Sequence, residues 1–114
     1  MASFSKEFLT GGTANGRPIK VAATATPGTT LHTAHASSKD ELWLWATNTD
    51  TVDRTLTLEH GGVTAPDDNL KFIVPAGETI PILAGTILSG GLLLKAFASA
   101  ANVVVCAGFV NRIT

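Results

Sequence analysis

Chemistry in this 114-residue sequence has to be sought in two histidines spaced His32-x-x-His35, the acids Asp50, Asp53, Asp67 and Asp68, the cysteine Cys106, and the pair Trp43 and Trp45. On a helix the His-x-x-His spacing would put both imidazoles on one side. The surrounding pattern is that of a β-strand, where residues three apart point to opposite faces, and no cysteine or acidic pair nearby completes a zinc set. These histidines are expected at a strand surface or an interface. Asp67-Asp68-Asn69 with Asp50 and Asp53 would supply oxygen for calcium, but EF-hand spacing and its bidentate glutamate are missing. Pro-Asp-Asp-Asn is ordinary turn composition. Cys106 lies among Val103, Val104, Val105 and Phe109, which predicts a buried, inert thiol, because a nucleophile needs an exposed, electropositive setting. No serine sits in a Gly-x-Ser-x-Gly elbow, and the glycine pairs lack the strand–turn–helix context that binds phosphate. Trp43 and Trp45 fall on one face of a strand and could stack on a sugar or a base. With no basic groove for nucleic acid, packing in a core or an interface is the better reading, since aromatic residues dominate interfaces. No catalytic constellation emerges. The expectation is a protein without enzymatic activity, cofactor, metal or small-molecule substrate.

The elements around these residues read as short strands. Residues 75–114 are apolar, β-branched runs cut near-regularly by Ala76-Gly77, Gly85, Gly90-Gly91 and Ala100-Ala101-Asn102. That rhythm marks an antiparallel sandwich or barrel. Upstream, residues 18–26, 29–36, 41–48, 52–60 and 70–74 also read as strands. In 52–60, Val52, Leu56 and Leu58 alternate with Asp53, Thr55, Thr57 and Glu59, the pattern of a strand with one solvated face. Residues 79–83 read as a short edge strand, because Pro81 cannot donate to ladders on both sides. With 92–98 and 103–110, and the brief Ile87-Leu88 run, the expected total is about eight strands. No stretch of ten or more residues carries a helical period. Residues 61–69 form the longest loop, and residues 1–17 read as an extended N-terminal arm preceding a single domain, 18–114. Two strands are apolar on both faces. Leu42, Leu44 and Ala46 oppose Trp43 and Trp45; Val103, Val105, Ala107 and Phe109 oppose Val104, Cys106 and Val110. A two-layer sandwich buries only one face of each strand, so the other face calls for a cover, and subunit contact is the preferred one.

Composition narrows the function classes. The chain is long enough for one core and not for two. Hydrophobic residues make up 45% and charged residues only 15%, with a net charge of −1. The usual charged share is about a quarter, so self-association is the first partner to consider. A clustered basic face for nucleic acid and a polybasic run for anionic membrane are both missing. A membrane-spanning helix over residues 80–110 is rejected, because Pro81, Gly85, Gly90, Gly91 and Asn102 interrupt every window of the required length. One cysteine allows no intrachain disulfide, and the N-terminal residues lack the basic and apolar regions of a signal peptide. Synthesis and folding in a cytoplasm are therefore expected.

Several segments carry a resemblance: residues 16–21 (GRPIKV), 28–35 (GTTLHTAH), 41–49 (ELWLWATNT), 56–69 (LTLEHGGVTAPDDN), 73–77 (IVPAG), 94–103 (LKAFASAANV) and 108–113 (GFVNRI). Over nearly the whole chain they resemble small, jelly-roll-like virion structural proteins of tailed bacteriophages. These are strand cores and turns, so they speak for the fold more than for a role. The resemblance implies a virion structural protein. Within that group the small size, the lack of an enzymatic site, the N-terminal arm and the surplus apolar strand faces favour a capsid decoration (cement) protein on the virion surface, acting as a homotrimer and contacting the major capsid protein. Trp43, Trp45, Val104, Cys106 and Val110 are the candidate subunit contacts, and Phe4, Phe8 and Arg17 of the arm the candidate capsid contacts. The alternatives are a head spike or fibre, whose Trp43, Trp45 and 61–69 loop would bind a host surface or glycan, and a neck or tail ring component. A metal-dependent hydrolase is the remote enzymatic alternative.

Overall fold

Alternating, β-branched segments with turn residues between them have one economical solution, which is to pair as strands and bury one face of each sheet against the other. The computed structural model, which describes residues 3–11 and 15–114, has that form. It has nine strands: β1 (Phe4–Phe8), β2 (Ile19–Lys20), β3 (Thr29–Thr33), β4 (Lys39–Asn48), β5 (Arg54–His60), β6 (Asn69–Val74), β7 (Thr79–Leu88), β8 (Leu93–Ala98) and β9 (Val104–Ile113). The first sheet runs β1-β9-β4-β7, with β2 also on β9; the second runs β3-β8-β5-β6, and every pairing is antiparallel. No described residue is helical, so among the described residues no helix is long and apolar enough to cross a membrane. Residues 80–110, weighed above as a membrane segment, supply β7, β8 and the start of β9.

The core lies between the sheets. Leu42, Leu44 and Ala46 of β4 and Val104, Cys106 and Val110 of β9 close it from one side; Leu31, Leu56, Leu58, Leu94 and Ala96 close it from the other. The β4–β9 register explains the choice of face: Leu42 pairs with Val110, Ala46 with Cys106 and Asn48 with Val104, so the even-numbered residues of both strands share a side. Asn48 is fully buried and donates from Nδ2 to the carbonyls of Val52 and Val74, tying the end of β4 to β6. In β3, a bulge between Thr30 and His32 turns both Leu31 and His32 inward, as an extra residue in one strand does.

Four expectations change. Residues 4–8 of the supposed arm are a strand, laid antiparallel on β9 with Phe4 opposite Ile113 and Phe8 opposite Phe109; the N-terminal segment is part of the sandwich. Residues 79–83 and 87–88 are one ten-residue strand, β7, whose irregular register opposite Leu42/Trp43 and Leu44/Trp45 absorbs the extra residues. Gly85 takes φ +88° there, a conformation that suits glycine. The edge placement argued from Pro81 stands, since β7 ends its sheet. The strand read from 18–26 shrinks to Ile19–Lys20. Finally, β5 is not solvated on its outer side: Thr57 and Glu59 are buried, with Glu59 accepting hydrogen bonds from Thr26 Oγ1 at 2.5 Å and Gly28 N at 2.6 Å.

Candidate interaction face

Strand alternation leaves β4 and β9 with a second apolar side, and the register assembles it into one surface. Reading across the first sheet, Phe8, Phe109, Trp43 and Ala84 form one row, with Ala107, Trp45 and Pro81 beside it. Phe109 joins the two tryptophans: its ring centroid lies 6.1 Å from Trp43, nearly parallel, and 6.3 Å from Trp45. Offset and tilted rings at this spacing attract one another beyond the area they bury. Lys6 places its ammonium 4.6 Å from the centre of the Phe109 ring. The adjacent row carries Lys6, Asn111, Glu41 and Ile87, and Trp43 Nε1 donates to Glu41 Oε1 at 2.7 Å, which ties the indole to that row. Much of this surface is open: Phe4 is 65%, Phe8 61%, Ile87 52% and Trp45 37% exposed.

The second sheet's outer face has different chemistry. Register places Thr30, Thr33, Thr55, Thr57, Lys71 and Lys95 on it, with Leu93, Phe97 and Ile73 as its large apolar members. The 26–28 segment covers Glu59 from that side through its two hydrogen bonds.

Placing the sequence candidates on this frame divides them. Trp43, Trp45, Phe4 and Phe8 come together on the first sheet's outer face, so the subunit and capsid candidates share one surface. Arg17 is exposed outside the strands. Val104, Cys106 and Val110 are 0% exposed within the single chain, so they are core residues and cannot meet a partner; the outward side of β9 belongs to Val105, Ala107 and Phe109. Burial pushes the Cys106 thiol up to about 12, which removes it as a nucleophile at ordinary pH. Phe109, the hub of the face, and Lys6 were not singled out from the sequence. The signal for Phe109 was present, because it falls in phase with Val105 and Ala107; which phase faces outward is decided only by the pairing with β4.

The polar candidates have structural duties. His32 is fully buried, with Nε2 2.7 Å from Asp40 Oδ2, while Arg112 donates from Nε and Nη2 to both Asp40 oxygens. Burial raises the Asp40 pKa, but the bonds from Arg112, His32 and the His35 amide outweigh it and hold the carboxyl down to about 2. An ionised Asp40 can only accept, so Nε2 of His32 carries the proton and Nδ1 accepts the Thr10 N–H at 3.2 Å. Thr10, His32 and Asp40 thus mimic a nucleophile–base–acid order. However, Nδ1 is taken by the Thr10 amide and Thr10 Oγ1 accepts the Thr33 N–H at 2.7 Å, so the cluster fastens the N-terminal segment to both sheets. His35 Nδ1 instead accepts the Ser37 and Ser38 amides. Three of the four aspartates serve separate turns: Asp50 pairs with Arg54, Asp53 accepts the Ala76 amide and Asp68 the Thr64 amide. An open groove of about 290 Å³ beside Gly62, Val63, Leu92 and Lys95 is largely apolar.

No protein-family model, curated protein or solved structure matches this chain.

Proposed function

We propose that this chain is a structural protein of a tailed-bacteriophage virion, a capsid decoration protein that works by burying surface against copies of itself and against the shell. The observation that carries the reading is the asymmetry between the two outer faces: one is a continuous aromatic surface built on β1, β9, β4 and β7, the other is rich in threonine and lysine. Soluble single chains rarely expose large contiguous apolar patches, and those that do use them for contact. Tryptophan-rich patches are where binding energy concentrates. The resemblance of the strand and turn segments to phage virion proteins supplies the setting. A cement protein stabilises a shell by removing surface from water at joints between capsomers, for which a rigid sandwich with one aromatic face and little net charge is suited.

A host- or glycan-binding role would have joined Trp43 and Trp45 to the 61–69 loop. Those belong to different sheets, as the loop links β5 to β6, so a sugar platform would rest on the aromatic row alone. The decoration reading is tested by quantifying the chain on purified particles. Shell-scale copy number on the outside of the head supports it; a copy number fit for one ring or one vertex, or glycan binding abolished by Trp45→Ala, contradicts it.

A further inference from the structure

We infer that the aromatic face pairs with the same face of a second copy, sheet against sheet, about a two-fold axis lying along the strands between β4 and β9. The inference deepens the contact-face reading and is independent of the virion setting: solution mass tests it, particle abundance tests the other, and either can fail alone.

The argument is geometric. A two-fold axis in the interface plane, parallel to the strands, sets each cross-strand row against its own copy and exchanges β9 with β4 and β1 with β7. An isologous contact of this kind requires a self-complementary patch. The observed rows supply it. Ala107 and Trp45 share a row, so the exchange sets the small residue of each copy against the indole of the other. Phe8 and Ala84 lie at opposite ends of another row, so large again meets small. Between them Phe109 faces the partner's Trp43, ring on ring. Facing sheets about 10 Å apart are filled by large against small at Ala107 with Trp45 and at Phe8 with Ala84, and by stacked rings at the centre.

Charge and size agree. Lys6, Asn111, Glu41 and Ile87 share a row, so the exchange sets the stem of Lys6 over Ile87 of the second copy and its ammonium one strand spacing from that copy's Glu41. Three ten-residue strands and the five-residue β1, at about 3.3 Å per residue and about 4.8 Å apart, present about 550 Å² of flat sheet before side-chain relief. A standard interface takes about 800 Å² per partner and the smaller specific ones about 600 Å², so the flat face matches the low end and side-chain relief adds to it. Because packed sheets cross at about −30°, rows diverge away from the centre, and the aromatic rows lie at the centre. A two-fold pair stands in place of the trimer expected from the sequence.

The test is sedimentation equilibrium on the full chain. The expected mass is twice 11.8 kDa. Ala107→Trp sets indole against indole and is expected to give monomers with an unchanged β spectrum; combining it with Trp45→Ala exchanges large and small and restores the dimer. Trp45→Lys, on an exposed side chain that the core does not use, is expected to give monomers even if Ala107→Trp impairs folding. A wild-type chain that stays monomeric, a three-fold mass, or a dimer indifferent to Trp45→Lys overturns the inference.

Discussion

Asp40 shows how one buried group fixes several elements. It sits on β4 with no exposed side-chain surface, held by Arg112 of β9 and His32 of β3. Its carboxyl lies at about 2, against 3.8 when unperturbed. A carboxylate held below its unfolded value contributes stability that is complete above the unfolded pKa and is lost as pH falls toward the folded one. The contribution is about 2 kcal/mol, expected to disappear between about pH 4 and pH 2. Urea denaturation across that range checks it, and Asp40→Asn should flatten the decline. Arg112→Met, which leaves the carboxylate buried without its cation, is expected to cost about 3 kcal/mol at neutral pH.

At the scale of elements, β4 divides its residues cleanly. Leu44 is fully buried and Trp45 partly exposed, so Leu44→Ala is expected to cost about 3 kcal/mol through cavity and transfer terms. Trp45→Ala, larger by volume, should cost under about 1 kcal/mol in the isolated chain; thermal unfolding of the pair reads the difference. Gly108, paired with Leu44, has no room for a Cβ, which would collide with the Trp43 carbonyl. Gly108→Ala should therefore destabilise the β4–β9 ladder by more than about 2 kcal/mol, measured as lost amide protection along both strands. Much of this division was legible in the sequence. The Leu-Trp-Leu-Trp alternation and the doubly apolar last strand both marked β4 and β9 as needing two covers. Which side of β9 turns inward was not legible, since Val104-Cys106-Val110 and Val105-Ala107-Phe109 are equally apolar and only the register with β4 separates them. Likewise Phe4-Ser-Lys-Glu-Phe8 lacks a strand's composition; it becomes one because β9, at the other end of the chain, offers an open edge. The burial of Glu59 depends on Thr26 and Gly28, more than thirty positions away, a distance no local pattern spans.

Across the whole molecule, Ser3 and Thr114 exchange backbone hydrogen bonds, so the pairing of β1 on β9 extends past Phe4 and makes β1 an edge of the first sheet. The sandwich spends its second sheet on threonine, lysine and a covered glutamate, and its first on an aromatic surface. Function should therefore be read on that first face, which carries both tryptophans in the chain. Intrinsic fluorescence then reports on the face directly. If the face is a built contact, dilution from high micromolar to nanomolar concentration should shift emission to the red and increase acrylamide quenching as the partner dissociates, with the far-ultraviolet spectrum unchanged. Emission and quenching that stay constant over that whole range, as for tryptophans always in water, would contradict the account.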